Sequence, residues 1–461
     1  MPEESLQTGS ARGRLQINVT SSLGLIPVKD AAITISYSGE PNAPIEKLST
    51  DSSGQTERVE LAAPPLDYSV EPSEQRPYSE YTVLVEAPGY ESAMVSGTEI
   101  LPDTLALQPV SLNPLETAEG DMESVVIPDH TLYGDYPPKI PEAEIKPIEE
   151  TGEIVLSRVV IPEYIVVHDG VPDDASAQNY YVKYRDYIKN VVSSEVYATW
   201  EENAIYANAL AVMSFTLNRV YTEWYRGKGY PFTITSSTAY DQNWIYGRNI
   251  YSNIDRIIDS IFANYLSRPG VRQPILTSYC DGRRVTCNGL SQWGSQYLAG
   301  EGYTPIEILR YYYGNDMYIN TAESISGVPS SYPGYALSIG SSGEKVRQLQ
   351  NQLNRIAQNY PAIPIIAADG IYGPETAKAV RAFQKIFNLE QTGVTDYPTW
   401  YSISNIYVGV TRIAEPEECF AIAEEYFLMV YYYLIMDIFA FRQQPCTRIF
   451  SGRKDCLSSG G

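Results

Sequence analysis

Short runs rich in β-branched and aromatic residues alternate with turn-forming residues over residues 13–112. The runs LQINV, AAITISY, ERVEL and YTVLVEA are separated by Gly, Pro, Ser and Asp. Runs of this length and composition are typical of β-strands, and the residues between them are typical of turns. The pattern therefore predicts a small β-sandwich in this part of the chain.

The pattern of strands ends in an acidic, proline-rich stretch over residues 113–153. Its densest part reads IPDHTLYGDYPPKIPEAEIKPIEETGE. A segment of this composition buries little apolar surface, which favours an extended linker. Strand-like runs return in IVLSRVVIPEYIVVHDG, and we expect a compact mixed α+β domain over residues 154–318.

A second linker is predicted over residues 319–335, where the sequence ISGVPSSYPG concentrates Gly, Ser and Pro. Helical periodicity follows over residues 336–405 and predicts two amphipathic helices. In the first of these helices, apolar residues recur at three- and four-residue steps, at Val346, Leu349, Leu353 and Ile356.

Neither end of the chain has the pattern of an export signal or a membrane anchor. The N-terminus, MPEESLQTGSARGR, has no apolar stretch after its charged start, so we expect no classical secretory signal. The tail over residues 406–461 contains the eleven-residue run YFLMVYYYLIM, which is shorter than the roughly twenty residues that span a bilayer. We expect a packed helix or an irregular end there and assign the tail no function.

Composition narrows the classes of function. A formal net charge of -23 repels polyanions and argues against binding to nucleic acid or to an acidic membrane surface. Two histidines, His130 and His168, are too few for a mechanism or metal site that needs several imidazoles. The 39 tyrosines supply rings with a hydrogen-bonding tip, which sugar-binding clefts and ordinary surfaces both use.

One carboxyl group stands out in the segment RDYIKNVVSSEVYATW. Ile188, Val191, Val192 and Glu195 are spaced so that a helix places the carboxyl group in line with an apolar stripe. Burial disfavours the ionised form of a carboxyl group, as a general acid near neutral pH requires. The alternative is that Glu195 ends the stripe and reaches solvent at the helix terminus.

A further helix is predicted in TPIEILRYYYG from its start and stop signals. Thr304 is a candidate N-cap, Pro305 suits the first helical position, and Glu307 stands three residues after the cap. Gly314 is a typical residue to end the helix.

Three segments resemble the SpoIID/LytB family of lytic transglycosylases. They are VVSSEV, STAYDQNWIYG and NGLSQWGSQYLAGEGYTPIEILRYYYG, and the resemblance extends over about residues 155–318. It implies that Glu195 is the catalytic acid/base, which protonates the oxygen between N-acetylmuramic acid and N-acetylglucosamine. It would then accept a proton from the muramic 6-hydroxyl group, giving a 1,6-anhydro sugar.

The same resemblance implies a set of substrate-binding residues. Asp241 and Gln242 match the family's Asp-Gln pair, and Ser291, Gln292 and Trp293 match its signature loop, so we expect all five to line the cleft. The alternative for each is structural, since loop serines and glutamines often hold turns and a lone tryptophan is often a core residue.

We expect no metal and no cofactor. Some family members bind zinc through cysteine and histidine, but Cys280 and Cys287 have no histidine nearby in the sequence. A tetrahedral site would therefore lack ligands. We favour a cysteine pair, reduced or bridged.

The two flanking regions resemble non-catalytic modules. PVKDAAITI, TDSSGQ and YTVLVEAPGY resemble the transthyretin-like or carboxypeptidase-regulatory β-sandwich. DGIYGPETAKAVRAFQ and LEQTGVTDYPTW resemble the peptidoglycan-binding domain 1 family, which implies a three-helix domain over residues 336–405. Most of its motif residues are expected to pack in the core, and Tyr372 is our candidate for glycan contact.

This order of modules is similar to that of clostridial spore cortex-lytic enzymes of the SleC type. We therefore hypothesise a lytic transglycosylase made in the mother cell, located in the spore, and bound to cortex peptidoglycan. Such relatives carry an inhibitory N-terminal segment that a protease removes, but only about a dozen residues precede the sandwich here. Alternatives are a non-catalytic peptidoglycan-binding or spore-coat protein, and an amidase or hydrolase acting on the same polymer.

Overall fold

A computed structural model describes most of the chain. The described residues are 11–23, 25–115, 122–146, 158–322, 324–326 and 332–411. The part of the tail beyond residue 411, with its apolar run, lies outside them. Within the described ranges, no helix combines the length and apolar character needed to cross a membrane.

The N-terminal region contributes nine strands to two five-stranded sheets, one of which is completed by a strand of the central region. Its strands are β1 (Ala11–Ser21), β2 (Ile26–Pro27), β3 (Ala32–Tyr37), β4 (Pro44–Ser49), β5 (Val59–Ala63), β6 (Ser79–Glu86), β7 (Ala93–Ile100), β8 (Leu105–Leu112) and β9 (Glu123–Val126), with a short helix α1 (Asp67–Val70). Along β1, Leu15, Ile17 and Val19 are fully buried, as strand alternation requires. The predicted strands are confirmed.

The central region begins with a small sheet and two long helices. Its first elements are β10 (Val160–Ile161), β11 (Tyr164–His168), β12 (Asn179–Lys183), α2 (Tyr184–Glu195), α3 (Glu202–Tyr221), β13 (Ile234–Thr235), β14 (Ile250–Tyr251) and α4 (Ser252–Ile261). The rest are β15 (Asn264–Ser267), β16 (Tyr279–Cys280), β17 (Leu290–Ser291), α5 (Gln292–Gly300), α6 (Pro305–Tyr313), β18 (Tyr318–Thr321) and β19 (Ser324–Ile325). Helix α3 is buried along most of its length and packs at the centre of this region.

Helix α6 has the predicted ends. Thr304 and Glu307 form a capping box, Pro305 is the first helical residue, and Gly314 is the C-cap. These contacts satisfy backbone groups that a helix terminus leaves unpaired.

The sandwich and the central region share a sheet. One sheet has the order β14-β8-β1-β2, with β5 also paired to β1, and the other has the order β4-β3-β6-β7-β9. Strand β14 of the central region thus extends the sandwich, pairing Ile250 with Leu107. Nearby, Arg248 forms a buried bidentate pair with Glu99, at 3.1 and 2.6 Å. Burial raises the pKa of the Glu99 carboxyl to about 7, against the opposing effect of Arg248.

The prediction of an extended linker over residues 113–153 is wrong for the described residues 122–146. Strand β9 pairs with β7, and the following segment packs against the central region. Ile127, His130, Leu132 and Lys146 are all buried. The composition argument failed because this segment uses the apolar surface of its neighbours and needs few apolar residues of its own.

The C-terminal region consists of three helices, α7 (Glu344–Ala357), α8 (Pro374–Ile386) and α9 (Tyr397–Thr411). The predicted apolar stripe on α7 is fully buried, as are Val380, Phe383 and Trp400. This region also contacts both other regions. Tyr401 packs on Phe262 of the central region at 5.4 Å, and Gln55 of the sandwich donates to the carbonyl oxygen of Ile386 at 2.7 Å.

Candidate functional site

Glu195 is the last residue of α2 and is buried. Only 4% of its surface is exposed, and the helix around it is buried from Tyr187 onward. The alternative in which the helix end points into solvent is therefore wrong. The helix terminus is covered by the loop before β14, by Tyr279 of β16 and by Gln292 of α5.

Three neutral donors hold the Glu195 carboxylate. The backbone N–H of Asn243 and the hydroxyl of Tyr279 both donate to Oε1, each at 3.3 Å. The amide Nε2 of Gln292 donates to Oε2 at 3.0 Å and to the backbone carbonyl oxygen of Glu195 at 3.0 Å. Oε1 thus accepts two long hydrogen bonds and Oε2 accepts one of ordinary length.

Two glycines of the signature loop allow Gln292 to reach Glu195. A Cβ atom on Gly289 would lie 1.9 Å from the carbonyl oxygen of Ser278, and one on Gly294 would lie 2.0 Å from the hydroxyl of Tyr312. Only glycine permits such close approach. Between them, the Ser291 hydroxyl accepts from the Gly294 N–H at 3.0 Å and caps α5, which starts at Gln292.

The carboxylate faces a cleft of about 720 Å³. Glu195, Tyr279 and Gln292 all line it, together with the loop between Cys280 and Cys287. These two cysteines are joined by a disulfide. Of the two states expected for the pair, reduced or bridged, the structure has the bridged one.

One wall of the cleft comes from the segment that was predicted to be a linker. We call residues 131–142 the strap, because they cross the central region beside Glu195. The Arg284 guanidinium donates to the carbonyl oxygens of Leu132, Tyr133 and Gly134. Further along, the Ile140 N–H donates to the carbonyl oxygen of Ala239 at 2.7 Å. The strap is thus fixed at both ends.

The strap also brings a lysine to the site. The Lys139 ammonium lines the cleft, donates to the carbonyl oxygen of Asp241, and lies 4.3 Å from the centre of the Tyr279 ring. Burial lowers the pKa of Lys139, and the charge of Glu195 opposes this. Sequence reasoning missed this residue. Lys139 lies in an acidic, proline-rich stretch, and nothing in the neighbouring sequence indicates that it folds close to Glu195.

Asp241 and Gln242 do not line the cleft as expected. Both are fully buried. Asp241 pairs with Arg219 at 2.7 Å and accepts from the Tyr225 hydroxyl and from the backbone and side chain of Thr235. Both carboxylate oxygens of Asp241 already accept hydrogen bonds within the protein, so neither is left to bind a sugar. We therefore correct the role of Asp241 to a structural one.

The side chain of Gln242 is equally saturated. Its Oε1 accepts from the hydroxyls of Tyr187 and Thr216, at 3.0 and 2.8 Å, and its Nε2 donates to the carbonyl oxygen of Val212 at 3.0 Å. These contacts join α2 to α3. Gln242 therefore holds the helix that carries Glu195, and the expected substrate contact is withdrawn.

Ser291, Trp293 and Tyr372 also lie away from the cleft. Ser291 acts as the N-cap of α5, and half-buried Trp293 packs on Trp200 at 5.0 Å and lines a second cavity. Tyr372 is fully buried, and its hydroxyl donates to the carbonyl oxygen of Gly393 at 2.9 Å. A side chain without exposed surface has no face to offer a glycan, so the assignment of Tyr372 to substrate binding is wrong in this structure.

Comparison with protein families gives two matches. Residues 174–260 match the model described as Stage II sporulation protein, and residues 342–403 match the putative peptidoglycan binding domain. The chain combines a SpoIID domain with a peptidoglycan-binding domain. These domains indicate a cell-wall-acting, sporulation-related protein. The SpoIID match includes Glu195 and ends before Gln292.

Solved structures give only partial likeness. The Bacillus anthracis TIE protein is 15% identical, with 23% of this chain and 17% of that chain covered and a TM-score of 0.17. The minor pilin GBS52 of Streptococcus agalactiae is 15% identical, with 24% and 48% covered and a TM-score of 0.17. Klebsiella pneumoniae 5-hydroxyisourate hydrolase is 16% identical, with 22% and 91% covered and a TM-score of 0.16. Scores this low carry no conclusion about fold, so the transthyretin-like sandwich stays a prediction. No curated protein matches the chain.

Proposed function

We propose that this chain is a peptidoglycan lytic transglycosylase of the spore cortex, with Glu195 as its acid/base. The observation that carries the proposal is a buried carboxyl group, facing a cleft of about 720 Å³ and held in one orientation by Asn243, Tyr279 and Gln292. A positioned carboxyl group beside a cavity is the minimum that proton transfer to a bound glycan requires.

The reaction needs no water. Protonated Glu195 gives its proton to the oxygen that links C1 of N-acetylmuramic acid to N-acetylglucosamine, and the bond from C1 to that oxygen breaks. The muramic 6-hydroxyl oxygen bonds to C1, and its proton passes to the Glu195 carboxylate. The products are a 1,6-anhydromuramyl end and a free N-acetylglucosamine 4-hydroxyl group, and the enzyme returns to its protonated state.

The other carboxyl groups along the described cleft support a single-carboxyl mechanism. Glu142 is paired with Arg219 and Lys146, and the carboxylate of Asp281 accepts from backbone N–H groups of its own loop. Asp135 is fully exposed on the strap. Glycoside hydrolases use two carboxyl groups, one acting as acid and the other as base or nucleophile. No second carboxyl group in these described contacts is buried and unpaired like Glu195.

The peptidoglycan-binding domain would hold the enzyme on its polymer. Attachment raises the effective concentration of glycan at the cleft, provided that both sites can engage one sacculus. The domain packs on the central region through Tyr401 and Phe262, so the spacing between the two sites is set by the fold.

Product analysis tests the proposal. Purified full-length protein is incubated with spore cortex sacculi beside a Glu195→Gln variant, and the released muropeptides are analysed by mass spectrometry. We expect 1,6-anhydromuropeptides from the unmodified protein and none from the variant. Reducing ends would instead indicate a hydrolase, and freed peptides an amidase. Sedimentation with sacculi without any product would indicate a non-catalytic peptidoglycan-binding or spore-coat protein.

A further inference from the structure

A second cavity, of about 230 Å³, lies between the sandwich and the central region. The sandwich lines it with Tyr68 and the loop that contains Glu74 and Gln75, and the central region lines it with Trp293 and Arg283. None of these sandwich residues carried a functional signal in the sequence, because the cavity exists only where the two regions meet.

The second cavity adjoins the cleft of Glu195. Asp281 and Arg284 line both cavities, and the strap contributes Leu132 to the second one. The two cavities are therefore neighbours on either side of Arg284, and a polymer bound in the cleft would have to cross Arg284 to reach the second cavity.

The walls of this cavity are held in fixed positions. The Trp200 indole N–H donates to the carbonyl oxygen of Ser69 in the sandwich at 2.8 Å. The Trp200 ring packs on Trp293 at 5.0 Å, and Tyr197 packs on Trp293 at 6.1 Å. Because aromatic side chains have few rotatable bonds, a surface built from them loses little conformational entropy on binding.

The chemistry of the cavity suits a neutral sugar. The half-buried rings of Tyr68 and Trp293 provide apolar surface, while Gln75 provides an amide. Glu74 and Asp281 balance the charges of Arg283 and Arg284, so the site has no net preference for an anion. A volume of about 230 Å³ lies below the usual range for drug-sized ligand sites, so the cavity suits a single ring and not a chain.

We propose that this cavity is a distal subsite that binds one sugar ring of the same glycan strand whose bond lies at Glu195. The inference rests on the proposed function. It gives the sandwich a direct part in substrate binding and makes the enzyme prefer strands long enough to reach from Glu195 to Tyr68.

The test compares long and short strands. The full-length protein is given peptide-free glycan strands of N-acetylglucosamine and N-acetylmuramic acid, either of four sugars or of more than about ten, and kcat/KM is measured for each. Tyr68→Ala should reduce the preference for long strands by about threefold to tenfold, the range expected for loss of one aromatic contact. Gln75→Ala alters an exposed side chain and should act in the same direction. Tyr297→Ala removes an exposed ring outside both cavities and is the matched control.

The outcomes separate this inference from the proposed function. If the unmodified protein cleaves both strands and neither sandwich variant changes the length preference, the subsite is wrong while the transglycosylase stands. If no strand is cleaved, the same strands are titrated by tryptophan fluorescence. A tighter affinity for long strands that Tyr68→Ala abolishes would support the subsite, and equal affinities in all variants would overturn it.

Discussion

Glu195 and Asp241 are carboxyl groups with nearly the same burial but opposite surroundings. Glu195 is 4% exposed and Asp241 is 0% exposed. Asp241 is neutralised by Arg219 and takes every hydrogen bond from within the protein, whereas Glu195 is held by neutral donors and faces the cleft. Burial and membership in a resembling motif therefore do not identify a reactive carboxyl group. Its partners and its access to a cavity do.

The largest effect is expected from Glu195→Gln. Loss of the group that transfers the proton should lower kcat by about 10²- to 10⁴-fold. The amide retains the shape of the carboxyl group, so the free energy of unfolding should fall by only about 1 kcal/mol, for one mismatched contact with Gln292. Turnover of sacculi and urea unfolding measure the two quantities. Near-normal turnover in the folded variant would contradict the role of Glu195.

The same chemical change at Asp241 should act on stability. Asp241→Asn removes the charge that neutralises buried Arg219, and we expect the free energy of unfolding to fall by about 3 kcal/mol. Urea denaturation measures this loss. Protein that remains folded at low temperature should retain most of its kcat. A stable Asp241→Asn variant with abolished turnover would return Asp241 to the catalytic site.

Stability should also depend on pH through His130, which anchors the start of the strap. Burial lowers the pKa of this imidazole well below 6.5, so the unfolded chain binds the proton first as pH falls. The stabilisation that neutral His130 provides should therefore be complete above about pH 6.5. Below that pH, the free energy of unfolding should fall by about 1.4 kcal/mol per pH unit. Urea unfolding at about pH 7.5 and about pH 5.5 tests this against His130→Gln, which should show a smaller loss. Equal losses in both proteins would exclude His130 as the cause.

The smallest loss of stability is expected from a substitution at Tyr372. This substitution tests whether Tyr372 packs in the core or binds glycan. Tyr372→Phe removes the hydroxyl that donates to Gly393 and should lower the free energy of unfolding by about 1 kcal/mol. Sedimentation with sacculi should stay unchanged because the ring is buried. Weaker sedimentation at equal stability would show that the ring becomes accessible on binding.

Local sequence patterns predicted much of the architecture. The strand runs of the sandwich, the capping box at Thr304 and Glu307, and the buried stripe on α7 all depend on residues a few positions apart. The carboxyl group of Glu195 was also found, by its spacing from Val191 and Val192 and by the family resemblance. The strand, cap and stripe signals each depend on one helix or strand, whose periodicity is written in the sequence.

The site was only half predictable. Gln292 reaches Glu195 from 97 residues away, and Arg284 contacts the strap from 150 residues away. Composition led to the wrong prediction for the strap. An acidic, proline-rich composition does not reveal that the segment packs on the surface of the central region. Asp241 and Gln242 were expected in the cleft because they match a family motif, but both are buried behind it. A motif shows which residue types occur together and does not show where their side chains point.

The sequence by itself determined that a SpoIID domain precedes a peptidoglycan-binding domain, and family resemblance within it predicted the one carboxyl group on which the proposed chemistry depends. Tertiary structure alone decided which polar groups meet that carboxyl group, which carboxyl groups are already neutralised, and where cavities open. The physical reason is that hydrogen bonds and ion pairs act over a few ångströms in space, between residues that the chain brings together only after it has folded.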